Sequence, residues 1–291
     1  MKKNLTFLFI IILSLSFLAT STTKISLQKI NNLIFLGKYA QAKTLLKTNL
    51  DNHYLYLESA ILMGDILVNE QNYQKARKYF QKALKSTKNK KIKPVIYNKI
   101  ADTYTVKKTQ YKAIKILKEA VIEHNFNTGT YTRLAIAFER LGVKEQVFSM
   151  YEKAYALDPH NVFINHKLAE IYTENLQYEK AISHYQNILM KTNIQHYKNN
   201  LASLYFKVAN DKKALELTNM PELKGDIYYK QKKYTEALRS YFQAWHLKPN
   251  DKKLLLDIYT TLLKLGKSTV FIEKNFKDEQ QIFNSLNKII L

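Results

Sequence analysis

Cysteine is absent from all 291 residues. That absence excludes disulfides, thiolate metal sites, a cysteine nucleophile and a cysteine-linked lipid anchor, and it suits an exported chain that needs no oxidative folding. Glycine and proline are scarce, at 6 and 4 residues. So few turn-formers leave little room for many short strands or for a glycine-rich phosphate loop, and helix is the favoured class. Arginine is nearly missing as well: only four of the 46 Lys and Arg residues are arginine. Arginine is the side chain suited to bidentate base and phosphate contacts, so the ratio argues against base-specific nucleic-acid recognition.

What is present is charge, tyrosine and aliphatic bulk. The formal net charge is +22, with 46% hydrophobic residues and 21 Tyr. Two readings of the lysine excess stand side by side: a coding bias that fills solvated positions, or a surface selected for an acidic polymer or nucleic acid. The first residues, MKKNLTFLFIIILSLSFLATSTT, place Lys2 and Lys3 before an apolar run from Leu5 to Leu18, then Ala19 and Ser21 at signal-peptidase spacing. Residues 1–21 are therefore expected to be a signal peptide, or an N-terminal anchor where it is not cleaved, and the chain to be exported, periplasmic or secreted.

The strongest signal is internal repetition. YEKAYALDPHN, ending at Asn161, and YFQAWHLKPND, ending at Asp251, are worn copies of one phrase. A fuller unit, ILMGDILVNEQNYQKARKYFQKAL, runs from Ile61 to Leu84 with helical spacing on both sides of a polar break at Asn69 to Asn72. Small residues recur at Ala42, Ala76, Ala113, Val147, Ala181, Ala214 and Ala237, with gaps of 34, 37, 34, 34, 33 and 23. A period near 34 is that of a helix–turn–helix array. Small residues let helices approach closely, aromatics four residues on fill the gap between layers, and Pro159 and Pro249 end a helix. The phrase is architecture. By the same logic Tyr73, Tyr104, Tyr151, Tyr172, Tyr185, Tyr205, Tyr234, Tyr241 and Trp245 are expected in the core.

On these residues the chain resembles the tetratricopeptide repeat family. The family's small first-helix residue matches Gly64, Ala101, Ala135, Ala169, Ala202 and Gly225; the large residue three positions on matches Leu67, Tyr104, Phe138, Tyr172, Tyr205 and Tyr228. The resemblance implies an all-α, right-handed superhelical solenoid of about seven to eight helix–turn–helix units over residues 22–274. The end units are degenerate, with Asn31, Tyr259 and Phe271 at small positions, and residues 275–291 are expected to form a capping helix with the stripe Ile282, Leu286 and Ile289. The 23-residue gap before Ala237 implies a truncated second helix and a bend or hinge near Asn219 to Leu223.

Catalytic constellations are missing from the sequence. Only His166 and Glu170 share a helix face at metal-ligand spacing, and an i,i+4 pair of this kind is ordinarily a surface contact. No catalysis, cofactor or metal is expected. The resemblance implies instead a scaffold that binds a protein or peptide in a concave groove, outside the cytoplasm and in envelope assembly; the alternative is a lysine-rich convex surface that binds acidic envelope polymers or nucleic acid. Family groove positions hold Glu58, Asp65, Asp102, Glu139, Glu170, Glu174, Glu222 and Asp226 against Arg140, Lys207 and Lys230. Lys75, Lys78, Lys82, Lys112, Lys115 and Lys118 fall on second helices. Either the acids pair with neighbouring lysines, or the groove is acidic and prefers a basic or hydroxyl-rich peptide. The expected groove residues are Asp65, Asn98, Asp102, Arg133, His166, Glu170, Asn199, Asp226 and Tyr229. The family's carboxylate clamp is not expected, because Asn98, Asp102, Arg133, Phe163 and Lys167 stand at its positions and Asp102 would repel a C-terminal carboxylate.

Overall fold

The structure is a computed structural model that describes residues 25–105, 107–123, 127–249 and 251–266. Among the described residues every regular element is helical. The expected leader and capping helix lie outside them. Two compact units divide the chain, Met1–Leu157 and Asp158–Leu291.

The described residues of the first unit form eight α-helices: α1 (Leu27–Phe35), α2 (Tyr39–Asp51), α3 (Tyr56–Asn69), α4 (Tyr73–Ser86), α5 (Lys93–Asp102), α6 (Gln110–Glu123), α7 (Thr128–Leu141) and α8 (Lys144–Leu157). Each helix packs on the next, so the helices form pairs and the pairs stack. Ile30, Ala42, Leu46, Ala60, Ile66, Ala76, Phe80, Ala83 and Ile96 make one continuous buried core. Its outer edge is tied down by Asn49, fully buried, whose amide exchanges two hydrogen bonds with the backbone of Ile25 at 3.2 and 2.9 Å.

The small first-helix position does what its spacing implies. A Cβ on Gly64 would lie 2.3 Å from Phe80 Cε1, so the ring of α4 sits directly on the backbone of α3. Phe80 is itself buried, and it cannot swing away. The 37-residue gap is also explained. A single 3₁₀ turn, Lys107–Thr109, takes up the extra residues between α5 and α6. One expectation changes here: Tyr104 stands beyond the end of α5, not on it. The Arg77 guanidinium donates to the Thr103 carbonyl at 3.2 Å and lies 4.6 Å from the Tyr104 ring centre, and Thr103 Oγ1 donates to Ile100 O at 2.6 Å, so the helix closes one turn early.

The second unit holds α9 (Val162–Glu174), α10 (Tyr178–Leu189), α11 (Gln195–Lys207), α12 (Asp211–Leu217), α13 (Pro221–Lys230), α14 (Tyr234–Leu247) and α15 (Lys252–Lys264). Its close approach repeats the first: a Cβ on Gly225 would lie 2.5 Å from Tyr241 Cε1. Tyr241, Phe242, Trp245, Leu254 and Ile258 form the core beside it, and Trp245 is buried as expected. The buried Asn165 fixes the turn at Pro159, donating to Pro159 O at 2.8 Å and Asn161 O at 2.9 Å. Tyr151, Tyr172, Tyr185, Tyr205 and Tyr241 are buried, whereas Tyr73, Tyr104 and Tyr234 are only partly covered. The seven-residue α12 is the truncated second helix that the spacing implied.

Within both units the break after a first helix passes through a left-handed residue at Gly37, Gln71, Gly142, Leu176, Ala209, Lys232 and Gly266, that is, after every first helix but α5 among the described residues. The break is a backbone requirement in which glycine is optional, since an occasional side chain accepts this conformation at a cost of about 1–2 kcal/mol.

Substituting Gly64→Ala tests the packing. Alanine gains about 1 kcal/mol of helix propensity, but overpacking a rigid core costs typically 1–3 kcal/mol. Thermal melts followed by circular dichroism should show a net loss of stability for Gly64→Ala, partly recovered when Phe80→Leu is added. An alanine variant as stable as the parent would show that the ring yields freely.

Candidate functional site

The nine expected groove residues divide into three groups. The first group is consumed by ion pairs between first helices. Asp65 on α3 meets Lys99 on α5 at 2.6 Å, and Asp102 on α5 takes Arg133 Nε of α7 at 2.8 Å. In the second unit Glu222 on α13 meets Lys253 on α15 at 2.8 Å. These three pairs each step from one first helix to the next at 31 or 34 residues, close to one repeat period. The surplus of first-helix acids thus has a structural partner set, Lys99, Arg133 and Lys253, which a count of family groove positions alone does not collect. All are partly solvated, so each is worth about 1 kcal/mol or less.

The second group is consumed by packing. Asn98 is buried and accepts from Thr130 Oγ1 at 3.1 Å, so it joins α5 to α7 and presents nothing to a ligand. Asn199 spends its amide on the break after α12: its Oδ1 accepts from Asn219 N at 3.2 Å and its Nδ2 donates to Asn219 Oδ1 at 2.9 Å. Gln195 adds a bond to Leu217 O at 3.0 Å, capping α12. The segment marked as a bend by its spacing is therefore laced to α11. Tyr229 is half-buried with its ring edge-on to Tyr234 at 5.4 Å. Asp226 is half-buried and accepts from the Tyr241 hydroxyl at 2.8 Å; burial pushes its carboxyl above the ordinary carboxylate value.

The third group is His166 and Glu170, and here the structure adds residues. His166 on α9 faces α11, with ring centres 5.4 Å from Tyr197 and 6.3 Å from His196. Tyr185 of α10 lies beneath, 6.0 Å from His166, its hydroxyl 3.4 Å from His166 Nδ1. Asn200 donates to that hydroxyl at 3.2 Å and lies 3.3 Å from His196 Nε2. Glu170 stands 3.5 Å from His166 Nε2 and 3.2 Å from Lys167. Four rings and two polar side chains from three helices thus share one surface, with His196 exposed and Tyr197 partly so. The signal was present in QHYKNN: His196, Tyr197 and Asn200 precede Ala202 by 6, 5 and 2 residues, inside the same first helix. Composition gave no reason to single them out.

Burial lowers the His166 imidazole below its ordinary value, Lys167 and His196 push the same way, and Glu170 opposes them. Burial raises the Tyr185 phenol, so its hydroxyl stays protonated. The arrangement offers hydrogen-bond donors, acceptors and aromatic faces without a fixed charge beyond Glu170 and Lys167. Among the described residues, no group of three or more His, Asp or Glu is arranged to hold a metal ion. No helix among them is long and apolar enough to cross a membrane.

Many lysines expected on outward faces lie over rings. Lys82 lies 5.1 Å from the Tyr79 ring centre, Lys112 is 5.8 Å from Tyr111 and Lys118 is 5.9 Å from Phe138. Lys180 over Tyr172 and Lys213 over Tyr205 repeat one geometry in successive pairs, at 5.2 and 5.1 Å. Such contacts are worth roughly 0.5–1 kcal/mol at exposed sites.

Residues 27–90 match the tetratricopeptide repeat model. A TPR repeat-containing protein of Methanocaldococcus jannaschii is 25% identical over 226 residues, covering 70% of this chain and 39% of its own length. The chain thus spans about two-fifths of that relative. Among solved structures, PilF of Pseudomonas aeruginosa aligns with a TM-score of 0.51 at 14% identity, over 81% of this chain and 95% of PilF. A tetratricopeptide repeat protein from Parabacteroides merdae aligns with a TM-score of 0.48 at 17% identity, over 81% and 96%. The likeness to PilF is one of fold.

The second unit should be sensitive to acid. His184 is buried, stacked on Tyr172 at 5.5 Å and hydrogen-bonded through Nδ1 to Asn165 Oδ1 at 2.9 Å; burial lowers its imidazole, as it lowers that of His166. The unfolded chain protonates near the ordinary value of 6.5, before the folded rings do. Their contribution is whole above that pH and is lost as pH falls through 6.5 towards the lowered folded values. Urea unfolding at pH 8, 6 and 5 should show falling stability, with a shallower fall in His184→Gln. Identical pH dependence in parent and variant would refute the assignment.

Proposed function

We propose that this chain, a tetratricopeptide repeat protein, is a non-catalytic scaffold that acts outside the cytoplasm and binds a protein or peptide partner across its first helices. Repeat proteins of this kind bind protein or peptide partners in general. The observation that carries the reading here is the imidazole–phenol surface of α9, α10 and α11, where His166 and Tyr197 each lie within 5.4–6.4 Å of His196, of Tyr185 and of one another. Rings held by three packed helices supply contact area at little entropic cost, and imidazole nitrogens and hydroxyls match the donors and acceptors of a peptide backbone.

Export rests on the leader-like residues 1–21, and service in envelope assembly follows from export together with a scaffold fold. Hydroxyl-rich segments suit the surface best, because its imidazole, phenol and amide groups are hydrogen-bonding side chains and Glu170 stands 3.2 Å from Lys167; a basic segment would compete with Lys167 for Glu170. A lysine-led polyanion reading is weakened by the lysines committed to rings and to first-helix ion pairs.

The test is capture from the native cell envelope by the tagged chain, with bound proteins identified by mass spectrometry. The double variant His196→Ser, Tyr197→Ser alters exposed or partly exposed groups and should keep its helical signal and melting temperature. Recovery of specific partners should fall by about fivefold or more, the loss of roughly 1 kcal/mol of contact. Undiminished recovery by a folded double variant would remove this surface from the binding site.

A further inference from the structure

The truncated α12 has a second consequence. With only seven residues it hardly reaches α13, whereas α2, α4, α6, α10 and α14 each pack along the first helix that follows. The start of α13 is left uncovered, and a cleft of about 340 Å³ opens between it, α11 and the end of α14. Met220, Leu223 and Leu247 give the cleft apolar walls, and Glu222, Asp226 and Lys248 give it charge. Leu247 is 72% exposed at the rim, a large aliphatic side chain in the last turn of α14 with no core to join. The volume is at the small end of ligand pockets, room for one bulky side chain and the backbone that carries it.

The charges around the cleft do not balance. Glu222 is shared by Lys253 at 2.8 Å and Lys248 at 3.7 Å, and Lys253 also faces Asp257 at 3.5 Å. Asp226 accepts the Tyr241 hydroxyl through Oδ1 and shares the field of Lys253 with Glu222 and Asp257. Three carboxylates therefore meet two lysines, a local negative excess in a chain of net charge +22. A further cation beside the apolar walls would complete the set, at a carboxylate already half withdrawn from water, where such a pair gains more than at the open surface.

We propose that this cleft is a docking pocket for an extended peptide segment of a partner protein in which a bulky aliphatic residue is flanked by lysine or arginine. The aliphatic side chain enters between Met220, Leu223 and Leu247, and the flanking cation reaches Asp226. The pocket is distinct from the imidazole–phenol surface, and it rests on the scaffold reading only in taking a peptide as the ligand class.

The probe is a fluorescein-labelled, end-blocked heptapeptide, Ser-Gly-Lys-Leu-Lys-Gly-Ser, titrated with the full chain and followed by fluorescence anisotropy. Saturable binding is expected, weaker in about 0.3 M than in about 0.05 M salt because the pair is partly solvated. Replacing the peptide leucine with alanine, or both lysines with glutamate, should weaken it by about fivefold or more. Asp226→Asn keeps an acceptor for Tyr241 and removes the charge; Leu247→Ser removes an exposed wall. Each should weaken binding by a similar factor, and Leu247→Ser keeps the test intact should Asp226→Asn fold poorly. His196→Ser, Tyr197→Ser should leave this affinity unchanged. No binding of the lysine–leucine peptide, equal binding of the glutamate peptide, or self-association of the chain that Leu247→Ser abolishes would each overturn the pocket. Affinity that falls with His196→Ser, Tyr197→Ser and not with the cleft variants would overturn it too, while leaving the scaffold reading in place.

Discussion

A ring laid on a backbone sets the spacing of each repeat. Phe80 lies against Gly64 and Tyr241 against Gly225, at distances that leave no room for a methyl group. Other features follow from that contact. A helix that must admit a neighbour's ring needs a small residue at one place in each repeat, and the ring must fall at a fixed step along the second helix. Once both are set, the remaining first-helix faces have fixed directions. Lys99, Arg133 and Lys253 can then meet Asp65, Asp102 and Glu222 one period apart.

Part of the charge in this chain is put to use between helices. The lysine excess looks like a surface property in composition, yet Lys118, Lys180 and Lys213 lie over aromatic rings of a neighbouring helix near 5–6 Å. A chain rich in lysine and tyrosine and poor in arginine can staple its repeats in this way, because an ammonium over a ring needs no fork geometry. The first-helix carboxylates Asp65, Asp102 and Glu222 are absorbed similarly. What remains for a partner is the uncommitted chemistry, the rings and hydrogen-bonding groups of α9 to α11 and the unbalanced cleft at α13.

The shortened α12 shows how one local deletion reorganises its surroundings. Losing half a helix removes cover from α13 and frees the backbone of Leu217 and Asn219, polar groups that need partners. Gln195 and Asn199 supply them from α11. Side chains that the repeat pattern assigns to ligand contact are thereby drawn into holding the break.

Helix pairs, their period, the small and large packing positions and the truncated helix were legible in the amino-acid sequence, because each depends on spacing along one chain and on residue size. So was the tether of His166 to Glu170, one helical turn apart. Tertiary structure alone decided which polar side chains are free. Asn98 and Asn199 look like ligand contacts until Thr130 and Asn219 arrive from 32 and 20 residues away. His196 and Tyr197 look like ordinary helix surface until α9 brings His166 across to them. The physical reason is that burial and pairing belong to neighbours distant in the chain. A hydrogen bond or an ion pair has no signature in the spacing of either partner, whereas a helix face has one in every turn.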